Sequence, residues 1–203
     1  MAQILKEDIK RRIDDAALEI FCEMGYQGAV MADIARVAGV SVGNIYRYYK
    51  NKEELFNILI PLDIINGLRD MVGSKFMIAD GMDLKNARHA PAMDLMDERF
   101  LDYLVTYRRQ IFIIMEEKEG IPYQGFKDEL VGLMTEMALR YTNTVDQPIH
   151  IDELKQRMLR LIYENLYNAV VEILKTFSRR DEIKAAFDNL LDYHFFGVPG
   201  LMR

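Results

Sequence analysis

From Ile34 to Lys52 the chain carries four basic residues, Arg36, Arg47, Lys50 and Lys52, and neither Asp nor Glu. Such a run attracts phosphate, and it stands out because the whole chain holds 32 acidic against 26 basic residues, a net charge of −6 that repels nucleic acid on average. Residues 1–60 hold eight basic and nine acidic residues, so the basic edge is local to this run. Other chemistries lack their residues. His89, His150 and His194 share no ligand spacing with one another or with Cys22, so no metal site is expected. There is no Ser-His-Asp order, no glycine-rich phosphate loop and no dinucleotide fingerprint, which argues against an enzyme and against a bound cofactor. Glu116-Glu117 and Asp152-Glu153 are read as solvated helix ends.

The elements that must carry the basic run are helical. Half of the 203 residues are hydrophobic and 29% are charged, the balance of a globular chain that buries a core. Five prolines and 12 glycines leave long segments, and their apolar spacing is 3.6. Ile9, Ile13, Ala16, Ala17, Ile20 and Met24 form one face of a first helix that Gly25 ends in a left-handed turn, with Cys22 in the core. A second helix is expected over Met31–Ala38 with Ile34, Ala35 and Ala38 inward, a third over Val42–Tyr49, and a fourth from Lys52 with Leu55, Phe56, Leu59 and Ile60 inward. Pro61 should kink or end the fourth. Further on, residues 78–92 and 142–150 read as loops, 93–118 and 124–141 as helices. Two stripes close the chain: Ile151, Leu154, Met158, Leu161, Ile162, Ala169, Ile173 and Phe177, then Ile183, Phe187, Leu190, Leu191 and Phe195. No stretch reaches the ~18 apolar residues of a membrane span and no export signal is visible, so a cytoplasmic protein is expected.

The join between the second and third helices explains how the basic run is presented. Gly39 can take positive φ, Ser41 can cap the third helix by accepting from the Asn44 amide, and Val40 and Ile45 sit at the positions of a hydrophobic staple. Ala35 and Ala38 let two helices cross closely. This is a helix-turn-helix arrangement, in which the second helix of the pair enters a DNA major groove.

Gly25-Tyr26, Asp33-Ile34-Ala35, Ala38-Gly39-Val40-Ser41, Gly43, Ile45-Tyr46, Tyr49 and Lys52-Glu53-Glu54-Leu55 together resemble the DNA-binding domain of TetR-family transcriptional regulators over about residues 8–56. The resemblance implies a three-helix N-terminal domain, a helical C-terminal domain that dimerises and binds a small effector, and repression released by that effector. It assigns Tyr46, Tyr48 and Lys52 to the DNA backbone, and base reading to Val42, Gly43, Asn44 and Arg47 beside the Ser41 cap. Asn44 can pair with adenine, Val42 can touch a thymine methyl, and Gly43 lets the backbone approach. Tyr26 and Tyr49 are expected to pack, and Arg11 and Arg12 to form a solvated face. One departure stands out: the family opens its second helix with Thr-Thr or Thr-Ser, where this chain has Ala29 and Val30. Val30 cannot cap, which costs about 1 kcal/mol and puts a phosphate contact in doubt.

The C-terminal part holds 10 of 13 methionines, 7 of 11 tyrosines and 8 of 10 phenylalanines, suited to an apolar or aromatic effector, although most such residues are core. The candidates for effector contact are Tyr103, Tyr107, Phe112, Met115, Met134, Met137, Tyr163 and Tyr167, with Arg108 as an anchor for an anion.

The expectation is an all-α chain with a helix-turn-helix domain at 1–50 and an effector-binding and dimerisation domain at 51–203. It binds double-stranded operator DNA as a homodimer through about 151–196, because one helix reads too few base pairs for useful discrimination. The fourth helix is the expected lever between effector and DNA. Two alternatives stay open on the residues alone: a helical small-molecule carrier or enzyme without DNA binding, and a DNA-binding regulator switched by a protein partner.

Overall fold

A computed structural model describes residues 2–82, 84–118, 120–144 and 151–202, and all regular structure among them is helical. In chain order the helices are α1 (Ala2–Gly28), α2 (Met31–Ala38), α3 (Val42–Ile45), α4 (Lys52–Leu59), α5 (Leu62–Ala79), α6 (Leu84–Arg88), α7 (Pro91–Thr106), α8 (Arg108–Glu116), α9 (Phe126–Thr144), α10 (Glu153–Thr176) and α11 (Arg180–Met202). They form two compact units. One comprises Met1–Ile65 with Arg109–Gln124, the other Asn66–Arg108 with Gly125–Arg203.

In the first unit α1 buries Ile13, Ala16, Ala17, Ile20 and Phe21, following its apolar period. Met24, expected on the same face, is 47% exposed. The cause is Gly25: its φ of 70° and ψ of 175° lie outside the left-handed helical well, so the helix kinks there and a further turn runs on to Gly28. A side chain at Gly25 would also stand 2.9 Å from the Cβ of Lys118. Cys22 is half-buried, its Sγ 3.8 Å from the Arg109 carbonyl. The helix α2 has the expected bounds and buries Met31, Ile34, Ala35 and Ala38. The helix α4 buries Leu55 and Phe56 and stops before Pro61, after which α5 starts afresh. Phe21, Tyr26, Phe56 and Tyr123 make an aromatic centre, with Phe56 at 5.2 Å from Phe21 and 4.9 Å from Tyr26, edge to face.

In the second unit the segment 78–92, expected as loop, contains α6, and α7 opens on Pro91, whose missing amide proton costs nothing in a first turn. The stretch 93–118, expected as one helix, breaks at Tyr107, which leaves the helical region at φ −107° and ψ 25°. The helix α9 runs on to Thr144, into the expected loop, and residues 145–150 of that loop lie outside the described residues.

The helix α10 has two apolar faces. Its own unit covers Leu159, Tyr163, Tyr167 and Leu174, whereas the stripe anticipated from the sequence is uncovered at Leu154 (70% exposed) and Leu161 (51%), with Met158 and Ile162 half-buried. On α11 the residues Ile183, Phe187 and Leu191 are buried and Tyr193 is 79% exposed.

Candidate nucleic-acid interface

The turn between α2 and α3 is built from three local devices and one distant clamp. Gly39 sits at φ 65° and ψ 37°, the left-handed conformation that closes α2, with its amide directed at the Ala35 and Arg36 carbonyls. Ser41 is extended and its Oγ accepts from the Asn44 amide at 3.2 Å, the cap its position predicts. Ile45 is fully buried beneath this turn and Val40 half-buried. The distant clamp is Arg12. Exposed like Arg11, as expected, it also makes a bond the expectation did not include: its Nη2 donates to the Ala38 carbonyl at 2.5 Å and to the Gly39 carbonyl at 3.1 Å, opposing the negative end of α2.

Beyond the cap, α3 is shorter than expected. Four residues are α-helical, and Arg47, Tyr48 and Tyr49 continue in tighter turns that bond back to Asn44 and Ile45. The shortening brings Tyr49 inward. It is 1% exposed, its hydroxyl donates to Asp14, and Lys10 bonds the same Asp14 at 2.8 Å while lying 5.4 Å over the Tyr49 ring. Burial, reinforced by Asp14, pushes the Tyr49 phenol up to about 12. Packing at Tyr26 and Tyr49 is therefore seen as expected, and Asp14 and Lys10 are participants that only their position one and two turns along α1 could have suggested.

The outward side of this segment consists of Ser41, Val42, Gly43, Tyr46 and Arg47, all exposed, with Asn44 and Tyr48 half-buried behind them. Tyr46 is 52% exposed and Val42 37%. Arg47 Nη1 approaches the Asn44 amide oxygen at 3.4 Å, so these two side chains share one edge. A Cβ at Gly43 would meet nothing within 4 Å; no neighbour in the protein requires a glycine there. The Tyr48 hydroxyl donates to the Lys6 carbonyl at 3.2 Å.

Lys52 has a more internal place than a phosphate-holding ammonium. Its Nζ donates to the carbonyls of Tyr26 at 2.6 Å, Ala29 at 2.9 Å and Gln27 at 3.3 Å, and lies 4.5 Å over the Tyr26 ring. Desolvation lowers its pKa. It ties the start of α4 to the end of α1. That start is capped by Asn51, whose side chain accepts from the Glu54 amide at 2.7 Å, while the Glu54 carboxylate accepts from the Lys50 amide. At the two edges of the acid-free run, Asp33 pairs with Arg36 at 3.3 Å and Glu54 faces Lys50 at 3.9 Å. Val30 is extended, 50% exposed, and gives no side-chain bond to α2.

The residues named for effector contact fall in both units. Phe112 and Met115 on α8 are buried within the first. In the second, Tyr163, Tyr167 and Met134 are buried, Met137 is half-buried, and the Tyr103 and Tyr107 rings lie 4.8 Å apart. Arg108 closes the end of α10, donating to the Leu174 carbonyl at 2.6 Å and to that of Phe177 at 3.4 Å. Among the described residues no group of three His, Cys, Asp or Glu could hold a metal ion, and no helix is long and apolar enough to cross a membrane.

Comparison with known proteins agrees with this geometry. Residues 13–59 match the family described as bacterial regulatory proteins, tetR family. Over 178 residues, 84% of either chain, the protein is 26% identical to the fatty acid metabolism regulator protein of Bacillus subtilis. It is 41% identical over 73 residues to the HTH-type transcriptional regulator BetI of Escherichia coli, covering 36% of this chain and 37% of that one. A TetR-like transcriptional regulator from Rhodococcus superposes with a TM-score of 0.52 at 18% identity, covering 93% of this chain and 96% of the other. The fatty acid degradation regulator FadR of Bacillus halodurans superposes with a TM-score of 0.51 at 18% identity, covering 92% and 94%. An exposed, capped recognition segment, in sequence register with these regulators over residues 13–59, gives this all-helical chain a DNA-binding domain of the kind found in the tetR family.

Proposed function

We propose that the protein is a homodimeric repressor that holds a palindromic operator and leaves it when a small-molecule effector binds its helical part. The observation that carries this reading is the outward edge of Ser41, Val42, Gly43 and Arg47, held at one end by the Ser41 cap and the Arg12 clamp and at the other by buried Tyr49. On this edge Val42, Gly43, Asn44 and Arg47 read bases, while Ser41, Tyr46 and Tyr48 face the sugar-phosphate backbone. Lys52 serves the backbone through the placement of α4. Residues 1–50 carry the DNA-reading function and 51–203 effector binding and dimerisation.

The dimer uses the uncovered faces of α10 and α11, because large apolar side chains such as Leu154, Leu161 and Tyr193 stand in water in the single chain. Two copies place two recognition segments on successive major-groove faces, and an effector that binds better to the misplaced form empties the operator. The effector class is acyl, in keeping with a relative named as a regulator of fatty acid metabolism. The protein acts in the cytoplasm and is not an enzyme. Selection of bound fragments from random duplex DNA tests the whole proposal. An inverted repeat with half-sites one helical turn or a multiple apart is expected; enrichment of unrepeated sequence, or none, would overturn it.

A further inference from the structure

In the second unit two buried cations share one buried carboxylate. Lys75 on α5, Arg88 on α6 and Asp97 on α7 leave 15%, 11% and 10% of their side chains exposed. Lys75 Nζ lies 2.6 Å from Asp97 Oδ1, and Arg88 Nη1 lies 3.2 Å from Oδ2. The other carboxylates beside Arg88 are at the surface: Asp192 on α11, 3.0 Å from Nε and 52% exposed, and Asp94, 3.9 Å away and 66% exposed. A buried ion needs a partner that is itself buried and well bonded. Two cations here have one such partner between them, and Asp97 Oδ1 lacks an aligned hydrogen bond despite its contact with the ammonium. Desolvation lowers the Lys75 pKa, opposed by Asp97 and, more weakly, Asp188, and assisted by the charge of Arg88.

An apolar, aromatic interior adjoins these charges. Lys75 Nζ stands 4.6 Å over the Phe100 ring and 5.1 Å over that of Phe187. The next residue, Phe76, packs at 6.2 Å against Tyr163 on α10, and Tyr163 at 5.3 Å against His194 on α11. Tyr163 is 3% exposed and His194 half-buried. Burial pushes His194 down to about 4, so the ring is neutral at pH 7.

We infer that Lys75 and Arg88 are the head-group end of the effector site and take the single carboxylate of an amphipathic free acid, whose apolar chain lies against Phe76, Tyr163 and His194. The inference rests on the effector reading above and narrows it. The incoming carboxylate replaces the exposed Asp192 on Arg88, giving two buried anions to two buried cations. A nucleotide-bearing thioester brings several negative charges to two cations that already face Asp97, Asp192 and Asp94, so the free acid, with a single charge, is the ligand. Arg108 is not the anchor, since its guanidinium is engaged by two carbonyls of α10 and the residue after it.

Titration calorimetry on the full chain with laurate, methyl laurate and lauroyl-coenzyme A tests this, with displacement of a bound operator fragment read in parallel. Laurate is expected to bind at least tenfold tighter than either the ester or the thioester. Lys75→Met should weaken laurate at least tenfold and methyl laurate far less, because the ester carries no charge for the ammonium to meet. Should that variant fail to fold, Arg88→Gln is read in its place, and the acid-to-ester ratio on the unaltered protein needs no variant. Equal binding of acid and ester, tighter binding of the thioester, or an unaltered laurate affinity in Lys75→Met would overturn the assignment. Binding of laurate that depends on Lys75 but leaves the operator occupied would sustain the head-group site and sink the regulatory reading. Failure of all three compounds to bind would end both.

Discussion

Arg12 and Ala38 are 26 residues apart in sequence and joined by a 2.5 Å hydrogen bond from guanidinium to carbonyl. The bond joins the middle of α1 to the last turn of α2, at the corner from which α3 departs. Removing the cation leaves the carbonyls of Ala38 and Gly39 without it, and a bond from a charged donor is worth about 1.5–3 kcal/mol. Arg12→Ala should therefore lower stability by roughly 1–2 kcal/mol after solvent replaces part of the bond, and weaken operator binding on every sequence alike. Urea unfolding with and without a cognate duplex measures both. Unchanged stability would mean the clamp contributes nothing in solution.

Gly43→Ala separates stability from recognition. The added methyl meets no atom of the protein within 4 Å, and alanine in a helix is favoured over glycine by roughly 0.5–1 kcal/mol. The variant should be as stable as the parent or more so, yet bind operator at least tenfold more weakly, because the methyl occupies space the duplex needs. Asn44→Ala should relax the choice at one base pair per half-site instead. Full operator affinity in Gly43→Ala, measured by fluorescence anisotropy, would remove this residue from the DNA surface.

Val30 is an uncapped helix start. It already has the extended φ of −123° and ψ of 149° that a capping residue adopts, so Val30→Thr requires no rearrangement. A side-chain acceptor at this place should add about 1 kcal/mol to stability. Calorimetric melting of the variant against the parent checks it, and an unshifted melting temperature would show that water already satisfies those amides.

His194 makes stability depend on pH. Its folded value of about 4 lies below the unfolded 6.5, so between these limits the unfolded chain binds the extra proton. Stability from this group is fully present above pH 6.5, is lost as pH falls toward 4, and levels off below; the loss is bounded at ~3 kcal/mol. His194→Gln should flatten that part of the profile. Urea midpoints for both proteins from pH 7 to 4 provide the comparison, and parallel profiles would show that the ring is hydrated when folded.

Leu161 is half exposed on a single chain, so Leu161→Glu should leave the fold of each protomer intact while placing two carboxylates in a dimer core. Sedimentation at micromolar concentration should show monomers, with operator affinity reduced at least a hundredfold. A variant that remains dimeric would move the interface elsewhere.

Features set by neighbours in sequence were legible before any coordinates. The bounds of α2, the Ser41 cap, the Gly39 corner and the stop before Pro61 each depend on one or two adjacent residues. Arg12 was not legible, because a guanidinium on an exposed helix face looks the same whether its partner is water or a carbonyl 26 residues away. Lys52 stands at the helix start its position predicts, but nothing local in the sequence shows that three carbonyls converge on its ammonium. The stripe expected to face a partner is uncovered on α10 at Leu154 and Leu161, but the one on α11 turns inward at Ile183, Phe187 and Leu191, and periodicity did not show that Leu159, Tyr163 and Tyr167 form a second, buried face of α10. Lys75, Arg88 and Asp97 come together from three helices and have no signature in spacing.

The two-faced α10 also bears on how the regulator responds to its own abundance. If half-operators are gripped only in pairs, occupancy climbs with the square of protein concentration while subunits are scarce, and becomes linear once they are plentiful. A cell growing and dividing faster than it makes the protein would thin the pairs before the subunits, and the genes under control would open by dilution alone, with no metabolite present.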